Sequence, residues 1–192
     1  YGADGWPLIM TSSGIGGLKF LSAELTELLY PILIDYHEIE KDSMGHGRTM
    51  GGTGIRIKVS PYDTPMDCHN TGDGAANPPF GLQGGTPGIG GGNYRENLST
   101  GHRDYCSSKG YLKISKGEAW VGISSGGGGF GDPLDRDPAL VVEHVRDGII
   151  SEGTARNIYG VIFNENTYAL DAGATEENRQ ALKKKQGELP LI

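Results

Sequence analysis

The chain has 192 residues, 36% hydrophobic and 21% charged, with 33 glycines and a formal charge of −7 at pH 7. That balance excludes a disordered segment, and glycine at more than twice the usual ~7%, with no collagen period, implies a β-rich protein with many tight turns. No basic stripe is present to bind nucleic acid, and no apolar stretch approaches the ~20 residues of a membrane span.

In chain order, Ser12-Ser13-Gly14-Ile15-Gly16-Gly17 reads as a loop. Leu21, Leu25, Leu28 and Leu29 then recur at helical spacing, which predicts a short helix with one apolar stripe. Pro31 ends it, and Ile32–Ile39 reads as a strand. Turn residues dominate from Gly45 to Gly54. Ile55-Arg56-Ile57-Lys58-Val59 alternates with period two, predicting a half-buried strand with its two cations on the wet face. Residues 60–110 hold most of the glycine and proline and show few strand signals. Tyr111–Ile114 and Ala119–Ile123 predict two more strands, turned by Lys116-Gly117.

Beyond Gly131 the pattern becomes helical. Asp137-Pro138 places a capping acid before a first-turn proline, and Leu140, Val141, His144 and Val145 fall on one face. Gly148 supplies the stop. A second short helix is expected over Ser151–Tyr159, ending at Gly160, and a hairpin around Asn164-Glu165-Asn166. A last helix is expected from Thr175, with Glu176 and Glu177 in its first turn and Lys183–Lys185 and Gly187 at its end. The predicted class is α+β: a β-rich, Gly-rich body over residues 1–131 and a helical C-terminal region over 132–192.

Two stretches carry possible chemistry. Ser125–Gly131 is a glycine run that could cradle phosphate, but no Lys-Ser/Thr pair follows it and Asp132, Asp135 and Asp137 would repel an anion. The alternative is a backbone that passes close to something, a partner subunit included. Asp67-Cys68-His69-Asn70-Thr71-Gly72-Asp73 gathers a thiol, an imidazole and two carboxylates, each able to ligate a divalent metal, yet no zinc spacing is met. Its bland alternative is a polar loop. Asp67, His69 and Asp73 are the candidates to reach substrate, and no residue is assigned as a metal ligand. Cys–His nucleophile pairs could be drawn from Cys106 with His102 or Cys68 with His69, but neither shows an orienting third group. His144 is expected to be packed in the core. With only Cys68 and Cys106, distant in sequence, the expected compartment is a reducing cytoplasm. The chain opens on Tyr1 rather than Met, which leaves open a fragment or a lost start.

Three stretches in order resemble the hydantoinase B/oxoprolinase family. They are Tyr36–Arg48 continued by Gly51-Gly52-Thr53-Gly54-Ile55; Asn77-Pro78-Pro79-Phe80-Gly81-Leu82-Gln83-Gly84-Gly85-Thr86-Pro87-Gly88; and Gly127–Pro138, followed by Ala155-Arg156 and Tyr159-Gly160-Val161. The resemblance covers the C-terminal part of a B-type subunit. It implies a multi-subunit, ATP-dependent enzyme that carboxylates a ketone or hydrolyses a cyclic amide through a phosphorylated carbonyl. ATP and Mg2+ would come through a hydantoinase A-type ATP-binding subunit. A divalent metal (Mn, Zn or Fe) would sit outside this segment, in the N-terminal part of the B-type subunit. Relatives acting on anionic lactams carry basic residues before the Pro-Pro signature, where this chain has Thr71–Asn77, which leans toward a neutral ketone or lactam. A non-catalytic module docking the subunits is the alternative.

Overall fold

Ser22 starts the first helix: its Oγ accepts the Leu25 N–H at 3.2 Å and caps α1 (Ala23–Leu29). The computed structural model describes residues 3–5, 22–107 and 109–188, so the 12–17 loop and Leu21 lie outside the described residues. The strands that follow in chain order are β1 (Ile32–Ile39), β2 (Ile55–Pro61), β3 (Met66–Thr71), β4 (Gly92–Asn97), β5 (Arg103–Cys106), β6 (Lys109–Ile114) and β7 (Glu118–Ile123). A 3-10 turn (Pro133–Asp135) leads to α2 (Pro138–Arg146), α3 (Glu152–Asn157) and α4 (Ala172–Glu188). The class is α+β and strand-rich.

All strand pairs are antiparallel. Five strands form one sheet in the order β1-β2-β7-β4-β5, and β3 pairs with β6 in a separate two-stranded sheet. The period-two pattern of β2 places Ile55, Ile57 and Val59 in the core. Its cations emerge on the other face, Arg56 Nε at 2.6 Å from Glu40 and Lys58 Nζ at 3.4 Å from Glu96.

The structure corrects several sequence expectations. The 60–110 stretch holds three strands; β3 (MDCHNT) and β4 (GNYREN) are so polar that no apolar alternation marks them, and ladder pairing alone defines them. The strands at 111–114 and 119–123 do not pair with each other, because the chain leaves one sheet for the other at the Lys116-Gly117 turn, where Gly117 has φ 87°. In α2 the buried positions are Val141, Val142 and Val145, while Leu140 points out. The last helix begins three residues early, since Asp171 Oδ1 accepts the Ala174 N–H and Thr175 is a buried latch whose Oγ1 accepts the Ile162 N–H. Its C-terminal limit also lies beyond Gly187, which is inside α4. The predicted hairpin at 163–170 survives as a single bridge between Phe163 and Leu170.

The glycine stretches explain one another. The Gly126–Gly131 run threads between the 43–54 and 80–91 segments. Gly45 donates to the Gly127 carbonyl (2.7 Å), Gly127 to Gly52 (2.8 Å), Gly129 to Thr86 (3.0 Å) and Gly131 to Leu82 (2.9 Å). Thr86 in turn donates to His46 (2.8 Å) and Ile89 to Ser43 (2.9 Å). A Cβ at Gly126 would strike the Ser43 carbonyl, one at Gly128 the Phe80 carbonyl and one at Gly129 the His46 carbonyl. Main chain on main chain cannot yield, so these sites exclude every side chain. The close neighbour of the glycine run is therefore the chain's own backbone.

The main hydrophobic cluster joins this interlock to the helices. Met44 and Met50 pack with Val141, Val142, Val145, Ile150, Ala155, Tyr159, Val161 and Phe163. Polar ties reinforce the join. Arg136, 2% exposed, reaches Asp4 and the Arg48 carbonyl, and Arg179 donates to the carbonyls of Tyr159 (3.0 Å) and Arg136 (2.6 Å).

Candidate functional site

A cavity of about 420 Å3 opens where β3 meets the five-stranded sheet. Its apolar wall is Ile55, Ile57, Trp120 and Ile123, and Gly91, Gly92 and Gly122 also line it. The indole of Trp120 lies over Gly122, so that a Cβ there would stand 2.7 Å from Cζ2. Trp120 Nε1 is shut off from solvent without a hydrogen-bond partner among the described residues. Asn70 Nδ2 donates to Asn93 Oδ1 at 3.0 Å and Asn93 donates on to the Ser107 carbonyl at 3.3 Å, a buried amide pair that holds β3 to the large sheet.

His69 and Asp73 stand at the mouth of this cavity with Thr71, but Asp67 does not line it. Position along the strand is the reason: the cavity takes the C-terminal half of β3 and the residues that follow, and Asp67 lies two residues short of it. Asp67, His69 and Thr71 alternate onto the outward face of β3, opposite Lys113, Tyr111 and Lys109, while Cys68 and Asn70 face inward. His69 meets the Tyr111 ring edge-on at 4.9 Å. Asp67 accepts the Tyr111 hydroxyl, and this bond, more than burial, holds the phenol above its usual pKa. Asp73 is fully exposed, with Lys109 Nζ at 3.9 Å. The cluster expected as a polar loop is thus largely a strand, and the cavity rim offers one imidazole and one carboxylate.

Neither Cys–His pair forms. Cys68 faces inward and His69 outward. His102 bonds Asp104 at 3.0 Å and Cys106 donates to the Asp104 carbonyl at 3.3 Å. Burial, then the Asp67 charge, pushes the Cys68 thiol up, the reverse of what a nucleophile needs. No group of three or more His, Cys, Asp or Glu able to hold a metal occurs among the described residues. The glycine run does not fit a phosphate either. The N–H groups of Gly126, Gly127, Gly129, Phe130 and Gly131 are all bonded to carbonyls of Ile89, Gly52, Thr86, Thr49 and Leu82. No ATP chemistry is routed through this run.

A second buried polar cluster escaped the sequence. His46 Nδ1 lies 3.1 Å from the Tyr159 hydroxyl, both residues buried, and the Arg136 guanidinium stands over the Tyr159 ring at 6.0 Å. Burial lowers the His46 pKa and raises that of Tyr159. His144, expected in the core, is half-buried with Nδ1 3.3 Å from Arg136 Nη2. In the sequence these residues lie scattered among turns, and only the folded glycine interlock brings His46 beneath Tyr159. Trp120, Asn93 and Gly122 also border the cavity, and the Trp-x-Gly alternation within Glu118–Ile123 is their signal in the sequence.

Comparison with known proteins places this architecture. The hydantoinase B/oxoprolinase family model matches residues 1–133, and the chain belongs to that family. It is similar to caprolactamase subunit beta of Pseudomonas jessenii, 34% identical over 183 residues, covering 93% of this chain and 31% of that one. It is also similar to the acetophenone carboxylase delta subunit of Aromatoleum aromaticum, 29% identical over 190 residues, covering 83% and 28%. In fold it is similar to a nucleotide-free structure of acetone carboxylase, an enzyme of ATP-dependent acetone carboxylation, with a TM-score of 0.76 at 20% identity, over 91% of this chain and 28% of that one. The chain spans less than a third of the length of these relatives.

Proposed function

We propose that this chain is the C-terminal part of a B-type subunit in a multi-subunit, ATP-dependent enzyme that carboxylates a ketone or hydrolyses a cyclic amide through a phosphorylated carbonyl intermediate. Residues 1–131 and 132–192 are two regions of that one subunit. ATP and Mg2+ enter through a hydantoinase A-type partner. A divalent metal (Mn, Zn or Fe) belongs to the rest of the B-type subunit. The observation that carries the reading is the family match over residues 1–133, joined to a cavity with His69 and Asp73 at its mouth. His69 can donate or accept a proton and Asp73 can accept a hydrogen bond, so the pair can orient a carbonyl substrate at the cavity mouth. Among the described residues the cavity wall carries no Lys or Arg, which favours an uncharged ketone or lactam over an anionic one.

The test is ATP turnover by the purified assembly, with acetone or acetophenone plus bicarbonate, and separately with hydantoin or 5-oxoproline. Substrate-stimulated ATP turnover in one set assigns the reaction. A chain that purifies with no ATP-binding partner and stimulates nothing overturns the proposal. The alternative, a module that docks subunits and contributes no catalytic group, is favoured by the fully exposed position of Asp73. It is separated by substitutions at the cavity mouth that alter turnover or leave it unchanged.

A further inference from the structure

The α1/β1 corner carries an apolar face that nothing among the described residues covers. Leu25, Leu28 and Leu29 occupy one stripe of α1 and are 42%, 82% and 59% exposed. The stripe continues past the C-cap. Tyr30 and Leu33 are exposed beside it, and the exposed Tyr62 is brought alongside by its N–H bond to the Pro31 carbonyl at 3.0 Å. A helix in water ordinarily turns this stripe inward, and a contiguous apolar patch of this kind marks an interface.

Strand addition is not how it is used. β1 is the outer strand of the five-stranded sheet, but Glu27 Oε1 accepts the Ile34 N–H at 2.8 Å and the register shifts between Ile34 and Tyr36. Both features blunt the edge, so recognition falls to side chains. Charge narrows the occupant. Residues 22–39 contain Glu24, Glu27, Asp35 and Glu38 and no Lys or Arg. A second copy docking the same patch would set these four acids against their equivalents, and an anionic lipid surface would be repelled in the same way.

We infer that the α1/β1 corner is the docking face for the remainder of the B-type subunit, through an apolar surface rimmed by Lys or Arg. The inference rests on the functional reading above. Relatives carry this segment within chains of which it is 31% or less, so the rest of the same subunit is the surface held at highest local concentration.

The test places a photo-crosslinking p-benzoylphenylalanine at Leu28 of the chain expressed in its own cells with the other subunits of its assembly. Crosslinked peptides are identified by mass spectrometry. A crosslink to the region that aligns with the first two-thirds of the B-type relatives is expected. Loss of that crosslink on adding Leu29→Glu, with unchanged soluble accumulation of the chain in the same cells, completes the expected result. A crosslink to a second copy or to the ATP-binding subunit, or none at all, overturns the inference. Substrate-stimulated ATP turnover separates the two levels. Turnover with a misplaced crosslink removes the docking face alone, whereas absent turnover removes the function.

Discussion

Asp4 and Arg136, 132 residues apart, share a two-pronged ion pair: Arg136 Nη1 reaches Asp4 Oδ1 at 2.8 Å and Nη2 reaches Oδ2 at 2.6 Å. The Met50 N–H also donates to Asp4, at 2.9 Å. One carboxylate thereby ties the start of the chain to the glycine-rich loop and to the helical region. Arg136→Met leaves the Asp4 charge without its partner and is expected to cost about 3 kcal/mol. Urea unfolding measures it; a loss below ~1 kcal/mol would show the tie to be dispensable.

The same carboxylate sets an acid limit. Burial opposes its ionisation, but the hydrogen bonds from Arg136 and Met50 outweigh that and hold it below the usual range. A folded-state pKa below the unfolded value of ~3.9 stabilises above that pH, and the contribution disappears as pH falls through the folded value. Arg136→Met is expected to flatten the fall in unfolding midpoint as the pH drops below about 4.

His46 and His144 act in a higher window. Burial lowers both, and the Arg136 charge adds to it. Each is neutral in the fold and binds a proton more readily when unfolded, near ~6.5. Stability is therefore full above pH 6.5 and declines as pH falls through the folded values. Chemical denaturation at pH 7.5 and 5.5 is expected to give a lower midpoint at 5.5, with the gap narrowed in His144→Gln. An equal gap in that variant would remove His144 from the account.

The glycine interlock predicts a contrast between two alanine substitutions. Gly128→Ala drives a methyl into the Phe80 carbonyl and is expected to cost about 3 kcal/mol or more. Gly92→Ala, whose Cβ would meet nothing within 4 Å, is expected to change stability by less than ~0.5 kcal/mol. Thermal unfolding of the two side by side decides it; similar losses would mean that the close approach is not the reason for glycine.

At the cavity mouth, His69→Ala and Asp73→Ala are expected to lower turnover of the assembled enzyme by roughly ten- to a hundredfold, below the usual contribution of a fixed acid–base group. Both leave the assembly intact, because neither side chain is buried. Asp67→Ala, outside the cavity, is expected to change turnover less. Full activity in the Asp73 variant would move the substrate contacts elsewhere and favour the docking module.

Much of this fold could be read in advance because its signals are local. β1 spans Ile32–Ile39 as the sequence implied, and Asp137, Ser151 and Gly148 cap or stop helices where their chemistry requires. What could not be read depends on partners distant in the chain. β3 and β4 are strands only because β6 and β7 pair with them, and where the end of β3 meets the large sheet decides that His69 borders the cavity while Asp67, two residues earlier on the same face, does not. Val142 replaces Leu140 in the core because α2 rotates to meet Met44 and Met50, loop residues with no periodicity to announce them.

The threading of Gly126–Gly131 between two other backbones also limits how such a protein can diversify. Where three main chains touch, the alphabet has one letter, and a change in any segment must be matched in the other two at once. Novelty is left to the margins: the polar face of β3, the cavity mouth and the α1/β1 corner. A scaffold of this kind keeps its interior fixed while its rim is rewritten for another ligand or another neighbour.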